Sequence, residues 1–239
     1  MKLLRDRSTF FCFTPLVSLI TFGIELLLAL YILFRFKLNK LSRIAVVLIL
    51  LLGLFQLSEY MICISDIPLL WTRIGTASIT LLPILGLHLI SYLTKPATKT
   101  VLAGYGMGIG IMFVIFFIPA LNLDSGCTGK FIALQTNLLP SIGYAIYYFG
   151  FLLFGLWKLT QHLLNGKGDK NAAAWMMVAY FSFLIPTAFI YLLYQLTLKG
   201  LPSILCGFAI LTALIITFKV IPAYNGNNKK KVVAKKKKK

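Results

Sequence analysis

The sequence is poor in charge and poorest in acid. Of 239 residues only six are Asp or Glu, and charged residues make up 13%, against about 25% in a soluble domain. Histidine occurs twice and cysteine four times. The two histidines, His88 and His162, stand far apart in sequence. They do not supply the clustered ligands of a membrane metallohydrolase, and no metal or cofactor is expected. No G-x-S-x-G, H-E-x-x-H or P-loop occurs, so no enzymatic constellation is visible. A retinal Schiff base needs a lysine at mid-membrane depth, and the lysine of the last apolar run, Lys219, sits at its end. A light-driven pump is therefore not expected either.

Apolar residues are what the chain has, at 59% and a mean hydropathy of +0.88. This exceeds what one soluble core hides from water, which excludes a soluble enzyme, a secreted disulfide mini-protein and a disordered chain. Seven runs, roughly 11–34, 44–63, 71–93, 100–121, 133–157, 173–197 and 203–221, reach the length of about 20 apolar residues that a spanning helix needs. They are about twice too long for barrel strands and lack in/out alternation. The first run exceeds a signal-peptide core and is followed by no A-x-A-like site, so it is expected to be a retained helix. The expected fold is an all-α integral membrane protein, a seven-transmembrane-helix bundle over residues 1–228. Residues 229–239 are expected to form a disordered lysine-rich tail.

The lysines and arginines set the orientation. One side collects Arg35, Lys37, Lys40, Arg43, Lys95, Lys99, Lys158, Lys167, Lys170, Lys219 and the tail lysines, and the other only Lys2, Arg5, Arg7, Arg73, Lys130 and Lys199. The positive-inside rule then predicts the N-terminus outside and the C-terminus in the cytoplasm. The net charge of +18 owes much to the tail, where eight lysines fall between Lys229 and Lys239. A solvated block of this kind draws on anionic lipid heads at about 1 kcal/mol per lysine near the surface. Specific nucleic-acid binding is not expected, because no aromatic interleaves the run.

With this topology Cys12, Cys63, Cys127 and Cys206 share the outer, oxidising side and are disulfide candidates, with three pairings open. The polar residues inside the spans form stripes at helical spacing. Thr14, Ser18, Thr21 and Glu25 share a face of the first helix, and Gln56, Glu59 and Cys63 a face of the second. Arg73 opens the third helix as the nearest counter-charge to Glu59, with Thr76, Thr80 and Pro83 beyond it. The fifth shows Asn137, Ser141, Tyr144 and Tyr148, and the sixth Thr187, Tyr191 and Tyr194 around Pro186. Such stripes are commonly interhelical glue, yet an ionisable group within a membrane helix is a site hypothesis. The candidate ligand-binding set is Glu25, Gln56, Glu59, Arg73, Thr80, His88, Asn137, Tyr144 and Tyr191, with a Glu59–Arg73 pair at the outer mouth. Gly104, Gly106, Gly108 and Gly110 lie inside an apolar span with no strand before them, which favours close helix packing over a phosphate loop.

The stretch from Phe55 to Cys63, then Trp71, Arg73, Gly75, Pro83 and His88, resembles the seven-helix N-terminal sensor region of certain bacterial histidine kinases. In that family an acidic residue late in helix 2, a W-x-R opening of helix 3, a proline and a histidine recur in this order, which Glu59, Trp71, Arg73, Pro83 and His88 match. The resemblance implies a receptor-like module in the cell membrane that binds a small or lipidic ligand from outside and signals to a separate cytoplasmic partner. A phosphoacceptor helix and an ATPase domain are missing from this sequence, so any kinase output is expected in another polypeptide. A small transporter is the alternative, although Pro83 and Pro186 do not align under an internal repeat.

Overall fold

A computed structural model describes residues 15–94, 96–117, 124–127, 132–135, 138–165, 170–193 and 201–226, with backbone alone at 15, 124–127, 132–135, 138–141, 191, 193 and 201–206. Its helices are α1 (Pro15–Arg35), α2 (Lys40–Ile64), α3 (Pro68–Leu93), α4 (Thr98–Phe117), α5 (Leu138–Asn165), α6 (Lys170–Leu193) and α7 (Leu201–Ile215). α7 runs on through a π-helical turn, Ile216–Val220, and helical residues 221–226. Among the described residues seven helices are long and apolar enough to cross a membrane, and the chain is a multi-pass membrane protein with the expected helical bundle.

Local chemistry explains the ends. Asn39 caps α2, its side-chain oxygen accepting from the Ser42 N–H at 2.8 Å, and its amide donates to Asn225 at 2.5 Å. This second bond ties the α1–α2 loop to the end of α7. Pro68 opens α3 at the first turn, where its missing N–H costs nothing. The helices meet in order, α1 on α2, α2 on α3, α3 on both α4 and α5, α5 on α6 and α6 on α7. α7 then returns to α1 and α2, closing the bundle. α3 also touches α6 and sits among its neighbours, burying Ile79, Ile84, Leu87 and Ile90.

α4 is peripheral, with Leu102, Ile109, Phe113 and Phe117 exposed. Its glycines divide by face. A Cβ on Gly104 would meet Ile84 at 2.5 Å and Phe151 at 3.1 Å, and one on Gly108 would meet the Tyr147 hydroxyl at 2.9 Å. Gly106 and Gly110 meet nothing within 4 Å. Close packing therefore belongs to the Gly104–Gly108 pair, while Gly106 and Gly110 lie on the open face.

Two features depart from the expected spans. Between α4 and α5 the chain forms an antiparallel hairpin of β1 (Asp124–Cys127) and β2 (Ile132–Gln135), with Asp124 opposite Gln135 and Cys127 opposite Ile132. β1 packs on α2 and α3. α5 accordingly starts after the hairpin, and it continues to Asn165 instead of stopping near 157. The extra turns carry His162 and other polar residues and need no hydrocarbon around them.

Candidate functional site

α1 turns Ser18, Thr21, Glu25, Leu28, Ala29 and Ile32 inward, the three- and four-residue spacing of one helical face. Opposite it, α2 buries Gln56 and Glu59. The Ser18 hydroxyl donates to Glu59 Oε2 at 3.1 Å across the interface, while Thr21 donates to its own helix at the Val17 carbonyl, 2.9 Å away. Deeper in, about 15 Å along α1 by the 1.5 Å rise, the Glu25 side chain is 0% exposed. It lies against Gly53, where a Cβ would stand 3.5 Å from Glu25 Oε2. Among the described residues neither carboxyl oxygen of Glu25 has a hydrogen-bond partner, and neither does Nε2 of Gln56, a residue only 2% exposed. Glu59 lies within electrostatic reach of Glu25. Buried polar groups are as a rule hydrogen-bonded, so these unanswered atoms mark the α1–α2 seam.

Other candidates gather elsewhere. Pro83 leaves the Ile79 carbonyl without its helical donor, and one residue on, the Thr80 carbonyl accepts from Tyr147 of α5 at 2.8 Å. The Thr80 hydroxyl donates to Thr76 O at 2.7 Å and lies 3.2 Å from the Tyr144 hydroxyl. This α3–α5 network is closed, as interhelical glue should be. His88, half-buried, faces α4, with Nδ1 3.0 Å from the Tyr105 hydroxyl and its ring stacked on Tyr92. Asn137 lies outside the described residues. Tyr191 belongs to α6, but its side chain lies outside them.

The Glu59–Arg73 pair is not formed. Arg73 sends Nη1 to the Phe116 carbonyl at 3.3 Å, in the last turn of α4, where carbonyls lack helical donors and the dipole favours a cation. Glu59 faces α1 instead. Cys63 is disulfide-bonded, as expected of at least some of the four cysteines. Cys12 and the side chains of Cys127 and Cys206 lie outside the described residues.

The seven candidates whose side chains are described thus fall into separate groups, Glu25, Gln56 and Glu59 between α1 and α2, Thr80 and Tyr144 between α3 and α5, His88 against α4 and Arg73 at the end of α4. A central cavity of about 50 Å³ lies between α2, α3, α5, α6 and α7, lined by Leu48, Pro83, Tyr148, Met176, Tyr180 and Thr212 among others, and none of the seven described candidates is among its lining residues. Tyr180 was missed at the sequence level. Its hydroxyl nests beside Gly86 and Gly155 and has no hydrogen-bond partner among the described residues. Only the two glycines hint at it, and nothing in their spacing points to α6. Tyr147 was also missed, although it stands three residues from Tyr144.

The chain matches no family model, no curated protein and no solved structure. Among the described residues no group of three or more His, Cys, Asp or Glu is placed to hold a metal.

Proposed function

We propose that this chain is a receptor-like sensor module of the cell membrane, related to the seven-helix sensor regions of bacterial histidine kinases. In this reading it takes a small ligand from the outer side and signals to a separate cytoplasmic protein. The observation that carries the reading is Glu25, wholly buried near mid-membrane with both carboxyl oxygens unanswered. An ionisable group so placed is costly unless a ligand, ion or water completes it. The N-terminus lies outside by the lysine and arginine count, which puts the Ser18–Glu59 end of the seam on the outer side and the lysine tail on the cytoplasmic leaflet.

Transmission has a route in this reading. Both walls of the seam, α1 and α2, pack on α7. α7 widens into a π turn at Ile216–Val220, a feature frequent at functional sites. Tyr31 of α1 touches Phe218 of that turn, with ring centroids 5.4 Å apart. On the far side, Lys219 lies over the Trp175 ring of α6, 5.2 Å from its centroid. A change of state at Glu25 would then be felt at the cytoplasmic end of α7.

A buried mid-membrane carboxylate also suits a transporter, whose coupling ions bind near the midplane, and one experiment separates the two. Fluorophores placed by unnatural amino acids at Leu38 and Gly226 report the spacing of the α1–α2 loop and the end of α7 in nanodiscs. Glu25→Gln, which removes the ionisable group, is expected to change the energy transfer between them, with no ion flux through wild-type chain in proteoliposomes. Unchanged transfer together with flux supports the transporter and overturns the sensor.

A further inference from the structure

We propose that the α1–α2 seam holds one exchangeable unit of positive charge at Glu25, delivered as a proton or as a single alkali cation. The proposal rests on the sensing reading for its purpose and names the class of occupant. Among the described residues Glu25 Oε1 and Oε2 have nothing to accept from, and Gln56 Nε2 has nothing to donate to. Glu59, on the facing helix, is the charged group that acts on Glu25 among the described residues. Two carboxyl groups within electrostatic reach of each other in a low-dielectric seam repel when both are ionised, and a bound positive charge relieves that repulsion. A neutral ligand leaves it in place, and an anion makes it worse.

The donor set narrows the occupant further. Carboxylate and hydroxyl oxygens are hard ligands that suit protons and hard cations, not soft metals. Divalent ions of the calcium kind take six to eight oxygens, whereas Ser18 and Glu59 are bonded to each other about 10 Å along α1 from Glu25 by the 1.5 Å rise, which leaves mainly the two carboxyl oxygens of Glu25 at this level of the seam. A small cation of single charge needs less. Gly53 supplies the room, since a side chain there would stand against the Glu25 carboxyl group and the Phe22 ring. The unanswered Gln56 amide is placed to donate to a water that accompanies the occupant.

The test uses the full chain in nanodiscs of neutral lipid, with sodium chloride exchanged for choline chloride at constant ionic strength. The melting temperature reports cation binding, and infrared difference spectra report the carboxylic acid band of Glu25 from mildly acidic to mildly alkaline pH. If the occupant is an alkali cation, sodium raises the melting temperature of wild type and the rise is lost in Glu25→Gln. If it is a proton, sodium has no specific effect, and a carboxylic acid band that comes and goes with pH in wild type is absent from Glu25→Gln. Either result supports the proposal. No sodium effect together with a band that is either absent or fixed at every pH makes Glu25 a static group and overturns it. Should Glu25→Gln fail to fold, Gln56→Leu is the second variant and is expected to weaken the same response. The sensing reading fails separately. Charge exchange without any change in energy transfer between positions 38 and 226 contradicts sensing alone, and transfer that changes without exchange contradicts this proposal alone.

Discussion

Where α3 meets α5, Thr80, Tyr144 and Tyr147 answer one another across the interface, whereas where α1 meets α2, Glu25 and Gln56 bury polar atoms that nothing answers. Both seams are built from stripes at three- and four-residue spacing, and both lie within the membrane spans. The difference is one of inventory. On α3–α5 each hydroxyl has a lone pair or proton to meet, so the network is complete without a visitor. On α1–α2 Ser18 serves Glu59, and the deeper carboxyl group is left over. A polar stripe therefore does not by itself identify a site in a membrane bundle, and an unfinished one is the better candidate.

The largest effect should come from the covalent tie near the Ser18–Glu59 end of the open seam. Replacing Cys63 by Ser is expected to cost about 2–4 kcal/mol of stability, the usual range for a disulfide. Peptide mapping without reductant should find Cys63 cross-linked, with Cys127 the expected partner because β1 packs on α2. Recovery of Cys63 as a free alkylated thiol from native membranes would remove the tie from the comparison.

Next come the glycines behind the closed seam. Gly108→Leu drives a side chain into the Tyr147 hydroxyl and Leu81 and should cost about 1–3 kcal/mol, as overpacking does. Gly110→Leu, on the open face, should stay within about 0.5 kcal/mol. Equal losses in thermal unfolding would mean that α4 does not dock through Gly104 and Gly108.

The smallest effect tests the network itself. Tyr147→Phe removes the donor to the Thr80 carbonyl, and a hydrogen bond between membrane helices averages about 0.6 kcal/mol in double-mutant cycles. A cycle of Tyr147→Phe with Gly108→Ala should show coupling, since the two positions touch. Strict additivity would place the hydroxyl away from α4.

Much of this was legible in the sequence because it is local. A run of about 20 apolar residues declares a span wherever the helix ends up, and Ser18, Thr21 and Glu25 declare a common face by spacing alone. What a stripe does not declare is its neighbour. Arg73 looked like the counter-charge of Glu59 because the α2–α3 loop is short, yet the long Arg side chain turns to the bare carbonyls at the end of α4. α3 has neighbours on several sides, and sequence order does not rank them. The hairpin at Asp124–Gln135 escaped for a similar reason, since strands of four residues carry too little pattern to stand out between apolar helices. Tyr180 escaped because its setting is made by glycines on two other helices.

In the proposed reading Glu25 is an unfinished group held in place for a ligand, while the α3–α5 network is finished. The most direct test is the sign of the stability change in Glu25→Leu beside Tyr147→Phe, both in sodium-free nanodiscs. An unsatisfied buried polar group costs about 1–3 kcal/mol, so Glu25→Leu should raise stability by up to that amount while Tyr147→Phe lowers it. If Glu25→Leu instead lowers stability as Tyr147→Phe does, Glu25 is a satisfied structural residue and the account of the open seam is wrong.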